Sequence, residues 1–128
     1  MASNPEARLQ IVIVNALRLG LPKDAVLWAT LNERHVSKAT GAYLNRMGRM
    51  AGMPDLMILY SGRLFCIELK LCNDPHRGVR KTYQSKEQKA AQWALQDAGA
   101  VYAVCRSLVE VEDLLGTYQV PMRVRSAA

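Results

Sequence analysis

The sequence predicts an α/β fold in which a mixed β-sheet is flanked by α-helices. Three observations carry that expectation: helical and strand patterns alternate along the chain, two strand-like runs meet at Ser61-Gly62, and a helix separates two further runs. A tight two-residue turn makes an antiparallel hairpin, whereas a strand-helix-strand crossover favours parallel pairing, so one sheet holds both kinds. At 128 residues, 50% apolar and 22% charged, the composition is that of one globular domain with a real core, and excludes disorder.

The first helix is expected from Ser3 to Gly20, with Ser3 or Asn4 as cap, Pro5 in the first turn and Gly20 as stop. Its dense apolar residues, Ile11, Val12, Val14 and Leu17, predict extensive burial. Ala25–Leu31 reads as a strand and Lys38–Met50 as a short helix. Asp55–Tyr60 and Arg63–Leu71 form the hairpin. Cys72–Gln84 contains Pro75 and Gly78 and little that packs, which predicts a mobile loop. Ser85 opens a helix ending near Gly99, Ala100–Cys105 is a buried strand, and a last helix runs from Ser107 to about Tyr118. No repeat or linker interrupts this order.

No apolar run reaches the roughly 18 residues that span a bilayer, and the first residues lack the pattern of a secretory signal, so the expected location is the cytoplasm, with no membrane partner. Cys66, Cys72 and Cys105 are odd in number and lack C-x-x-C spacing, which argues against a disulfide framework or a structural zinc site. His35 and His76 have no partner at ligand spacing. The net charge of +6 makes a polyanionic partner plausible.

If Ser61 and Gly62 are the turn, Tyr60 pairs with Arg63 and Asp55 falls opposite Glu68. Strand alternation then puts Asp55, Met57, Leu59, Leu64, Cys66, Glu68 and Lys70 on one face. Directly opposed residues have Cβ atoms about 4.5–5.5 Å apart, and like charges there repel. A hard divalent cation would compensate, since Mg²⁺ takes one or two carboxylates plus waters and phosphate oxygens. The alternative is an exposed strand-end cluster in which Lys70 partly neutralises both acids without a metal. A bulged turn would shift the register and part the two carboxylates.

Gly52-Met53-Pro54-Asp55 followed by Ile67-Glu68-Leu69-Lys70 resembles the PD-(D/E)xK nuclease signature in its ExK form. Within that superfamily the chain is most similar to the VRR-NUC domain, through the first helix with Glu6 and Gln10, the Asn32-Glu33 stretch and the Ser85-x-x-Gln88 helix start. The resemblance spans about Glu6 to Leu115. It implies a single nuclease domain over residues 1–128, a restriction-endonuclease-like core and Mg²⁺- or Mn²⁺-dependent hydrolysis of DNA phosphodiesters. Small standalone members resemble structure-specific nucleases, including Holliday junction resolvases that act as homodimers. The DNA partner is accordingly expected to be branched or duplex.

Carried over by position, Asp55, Glu68, Lys70 and Gln88 are the catalytic candidates, and Glu6, Asp55, Glu68 and the Leu69 carbonyl the metal ligands. Glu6 also completes an S-x-x-E capping box with Ser3, and Gln88 an S-x-x-Q box with Ser85, so each has a purely structural reading beside its family role. Basic residues flank the motif on both sides: Arg34, Lys38, Arg46 and Arg49 before it, Arg77, Arg80, Lys81, Lys86 and Lys89 after it. They are candidates for phosphate contact or, alternatively, a solvated face. Two other classes compete with the nuclease: a non-catalytic DNA-binding or assembly subunit that keeps the fold, and a basic adaptor domain unrelated to nucleic acid.

Overall fold

The computed structural model describes residues 4–30 and 37–125. Helix α1 (Pro5–Gly20) leads to strand β1 (Val26–Ala29), and α2 (Lys38–Arg46) precedes the hairpin of β2 (Leu56–Tyr60) and β3 (Arg63–Leu69). Helix α3 (Lys86–Asp97), strand β4 (Val101–Cys105) and helix α4 (Leu108–Thr117) complete the order. The sheet runs β1-β2-β3-β4; the first three strands are antiparallel neighbours and β4 lies parallel to β3 after the α3 crossover. The mixed α/β architecture expected from the sequence is therefore the one observed.

Register follows from the turn. Ser61 and Gly62 both have positive φ, 50° and 76°, the conformation of a two-residue type I′ turn whose twist matches that of the strands. No extra residue enters the ladder: Tyr60 faces Arg63, Met57 faces Cys66 and Leu56 faces Ile67. β3 is central, and five consecutive residues from Phe65 to Leu69 are buried.

Alternation sorts the sheet into two faces. One carries Leu56, Ile58, Phe65, Ile67, Leu69 and Cys105 against Ile13 and Leu17 of α1 and Val111 and Leu115 of α4. The other carries Met57, Cys66 and Tyr102 against Met53 and Leu95, the latter from α3. Only part of the apolar stretch in α1 meets the sheet. Ile13, Leu17 and Gly20 are buried, but Ile11 and Val12 are exposed, contrary to the expectation for those two residues. Side chains next to one another in sequence point about 100° apart on a helix, so a dense run cannot be buried throughout.

Helix α1 is capped by Asn4, whose Oδ1 accepts the Glu6 N–H at 2.9 Å. Counted from Asn4, Glu6 is the second helical residue, one position too early for a capping box; the alternative box with Ser3 involves a residue outside the described ones. Helix α2 stops at Arg46, short of Met50, because Gly48 turns the chain with φ of 106°. The C-terminal segment returns to α1: Arg123 Nε donates to the Leu21 carbonyl at 2.7 Å and its backbone N–H to that of Gly20. The segment 72–84 is a loop, but it is pinned, and this corrects the expectation of free mobility. Asp74 and Val79 exchange two backbone hydrogen bonds of 2.9 Å around a single 3₁₀ turn, and Thr82 is tied to Leu71.

Candidate active site

At the end of the second sheet face, Asp55, Glu68 and Lys70 come together as the register requires. All three are buried, at 7%, 0% and 6% relative exposure, which sets aside the exposed-cluster reading. Asp55 lies just before β2. Its carbonyl accepts the Thr30 N–H at 2.9 Å and its Oδ2 accepts the Leu69 N–H at 2.7 Å, so the carboxylate is clamped against β3. Pro54, fully buried, fixes the approach of the chain. Lys70 follows the last residue of β3, its N–H bonded to the Cys105 carbonyl at 3.1 Å.

Gly52 brings the first turn of α3 to this corner. A Cβ there would lie 2.4 Å from the Glu87 carbonyl carbon and oxygen and 2.7 Å from the Gln88 nitrogen, and its φ is 74°. Only glycine permits that backbone-on-backbone approach. It delivers Gln88, which closes its helix cap and also reaches Glu68. Gln88 Oε1 accepts the Ser85 N–H at 2.8 Å and its N–H donates to Ser85 Oγ at 3.1 Å, closing the capping box. The remaining amide group, Nε2, donates to Glu68 Oε1 at 3.3 Å.

Glu68 Oε2, by contrast, is buried and receives no hydrogen bond. Its neighbour, the Asp55 carboxyl, is a second acceptor unless one of the two takes up a proton. Burial first, and then Asp55, push the Glu68 carboxyl up to about 9, against a partial lowering by Lys70; Glu6 pushes in the same direction as Asp55. An uncompensated buried carboxylate pair with hard oxygen donors is what a divalent cation relieves. Asp55 and Glu68 fit such an ion. Among the described residues no three His, Cys, Asp or Glu side chains group closely enough to hold a metal ion, so the pair stands without a third such side chain.

The other expected residues are distributed as follows. Glu6, half-buried in the first turn of α1, is near enough for its charge to act on Glu68. Leu69 buries its side chain on the opposite face while its backbone passes between Glu68 and Lys70. Lys38 and Arg46 are exposed on α2, Arg46 stacking at 5.9 Å on Tyr43. Arg49 bonds Asn45 Oδ1 at 3.1 Å and the Gly41 carbonyl, and so is committed in part to holding α2. Arg77 pairs with Asp74 at 3.6 Å, Lys81 lies 5.5 Å from the Tyr83 ring, and Arg80, Lys86 and Lys89 are exposed. Arg34, Asn32 and His35 lie outside the described residues. His76 is exposed in the 3₁₀ turn, and the three cysteines are free thiols, Cys66 and Cys105 buried and Cys72 exposed.

Sequence reasoning missed Tyr102 and Gln84. Tyr102 is buried beside Cys66 on the same face as Glu68, and its hydroxyl accepts from Gln84 Nε2 at 3.2 Å. Burial, and after it the charge of Glu68, push its hydroxyl up to about 12. The β4 alternation would have placed Tyr102 on this face had the parallel register been known.

A mixed sheet with helices on both faces, and an acid-acid-lysine group buried where a hairpin ends beneath a helix start, define a class of α/β domain. Solved structures narrow the class. The chain is similar to a "VRR_NUC domain protein" at 23% identity and a TM-score of 0.60 over 93% of this chain and 91% of that one. It is also similar to a "VRR_NUC domain" at 21% identity and 0.55, over 91% and 99%. No family model and no curated protein matches. The chain has the fold of a VRR-NUC domain. Among the described residues no helix is long and apolar enough to cross a membrane.

Proposed function

We propose that this protein is a divalent-metal-dependent DNA endonuclease, structure-specific in the manner of a Holliday junction resolvase, acting as a homodimer of single-domain chains. The observation that carries the reading is the buried Asp55–Glu68 pair with Lys70 beside it and an orphaned oxygen on Glu68. Such a pair costs stability, and the VRR-NUC fold supports a nuclease as the reason for it.

Asp55 and Glu68 would hold Mg²⁺ or Mn²⁺, with the Leu69 carbonyl as a further donor and Glu6, which does not group with the pair in the unloaded fold, drawn in on binding. When bound, such an ion polarises a phosphodiester and lowers the pKa of a coordinated water. The chain's own residues do the rest. The Leu69 N–H fixes Asp55, Gln88 Nε2 orients Glu68, and Lys70, held at the end of β3, orients the attacking water and offsets charge on the phosphoryl oxygens. Lys38, Arg46, Arg80, Lys81 and Lys86, with Arg34, Arg49 and Arg77, contact DNA phosphates, which steers binding without reading sequence. One active site cuts one strand, so paired cuts across a junction need two chains.

The test is cleavage of labelled junction, flap, nicked and linear duplex DNA with Mg²⁺ or Mn²⁺, beside EDTA and Glu68→Ala controls. Symmetric, metal-dependent cuts confined to the junction are expected. Cleavage spread over all four substrates overturns the resolvase specialisation, and binding without metal-dependent cleavage overturns the nuclease.

A further inference from the structure

Beyond Leu69 the chain leaves the sheet ladder, yet Lys70 sits there and needs a fixed place. Its N–H reaches the Cys105 carbonyl, and the next residue, Leu71, is tied to the returning chain: the Thr82 N–H donates to the Leu71 carbonyl at 3.1 Å and the Leu71 N–H to Thr82 Oγ1 at 2.7 Å. Thr82 stands three residues before Ser85, the cap of the helix that carries Gln88. Arg106, the first residue after β4, joins these segments. Its Nη1 donates to the Leu71 carbonyl at 2.7 Å and to the Thr82 carbonyl at 2.9 Å. Its own backbone N–H is bound by the Glu110 carboxylate, and the Tyr83 ring lies 5.6 Å from the guanidinium. A planar guanidinium engaged on two carbonyls has little freedom left, unlike an ammonium on a flexible stem.

One half-buried side chain thus binds the end of β3 next to Lys70, the chain entering α3 ahead of Gln88, and the end of β4. Those guanidinium hydrogen bonds go to main-chain carbonyls. We propose that Arg106 is a positioning residue, setting where Lys70 and Gln88 stand over the carboxylate pair. The inference rests on the nuclease reading and goes further by naming a residue outside the motif on which turnover depends.

The experiment measures kcat and KM of the full chain on its cleaved DNA for Arg106→Ala, Arg106→Lys and Thr82→Val, each also in a Lys70→Ala background, with Tm recorded in parallel. Displacement of a catalytic group by about 1 Å costs up to roughly 100-fold. Arg106→Ala is expected to lower kcat by about 10- to 100-fold with KM little changed, and Arg106→Lys to recover part of the loss. Thr82→Val, which leaves Arg106 in place and removes only the hydroxyl acceptor, should lower kcat in the same sense and serves if the alanine variant fails to fold. On top of Lys70→Ala these losses should largely vanish. Unchanged kcat with a lowered Tm would reduce Arg106 to a structural clamp, a raised KM with a flatter salt dependence would make it a DNA contact, and losses that add to Lys70→Ala would show that it does not act through Lys70. Each of these overturns the inference while the wild type still cuts, whereas an inactive wild type overturns the nuclease reading beneath it.

Discussion

Replacing Glu68 by glutamine should make the metal-free protein more stable at alkaline pH while abolishing cleavage. In the fold the Glu68 carboxyl keeps its proton up to about 9; in the unfolded chain it loses it near 4.5. Between those values the folded state holds one proton more than the unfolded state, so stability is highest below the lower value and falls as pH rises through the window. One proton corresponds to about 1.4 kcal/mol per pH unit, hence about 3 kcal/mol between pH 6 and pH 8. For a domain of this size that is a fall in Tm on the order of 10 °C. Glutamine keeps the shape of the side chain, can accept from Gln88 Nε2 and can donate toward Asp55, and it does not titrate. Urea unfolding of both proteins in EDTA across that pH range is the assay, because groups common to the two cancel in the difference. The expected result is a gap in unfolding free energy that widens by about 3 kcal/mol from pH 6 to pH 8. Curves that run parallel would refute the reasoning, since they would mean that Glu68 ionises in the fold as freely as outside it.

Mn²⁺ added at pH 8 should raise the Tm of the wild type, by about 2.7 kcal/mol of stability at one hundred times its dissociation constant, and leave Asp55→Asn and Glu68→Gln unmoved in a thermal shift assay. Gly52→Ala should cost at least about 2 kcal/mol and most of the cleavage rate, because it drives α3 away from the carboxylates. Gly62→Ala, where φ is 76° but no atom lies within 4 Å, should cost about 1 kcal/mol with activity retained; denaturant melts and cleavage rates separate the two. Neutralising Arg77, Arg80 and Lys81 together should reduce the slope of log affinity against log salt by about 2 to 3, measured by fluorescence anisotropy, and an unchanged slope would remove that loop from the DNA interface.

The hairpin was legible because a Ser-Gly pair between strand-like runs leaves few ways to turn, and its register alone put Asp55 opposite Glu68. The burial of that pair was not legible. It comes from α3, which is brought to the site by a glycine contact and a cap that sit far along the chain, and a strand-end position read by itself gives no sign of either. The pattern offered Ser3 or Asn4 as the cap of α1, and with Ser3 an alternative box for Glu6; Asn4 serves as cap, a choice between adjacent residues that local pattern does not resolve. The misreading of Ile11 and Val12 has a similar origin: where nearly every position is apolar, the phase of the buried stripe is lost. For segment 72–84 the tie is Arg106, more than twenty residues away, and composition could not reveal it.

The Leu71–Thr82 pairing also divides the molecule in a way that matters for engineering. Asp55, Glu68, Lys70 and Gln88 all lie before Leu71 or after Thr82, and the Leu71–Thr82 hydrogen bonds join those two ends directly. Residues 72–81 are therefore a cassette on a closed base. Doubling the length of such a loop costs only about 0.6 kcal/mol in closure entropy, so a longer or different insert should fold on the same base while the carboxylates beneath stay as they are.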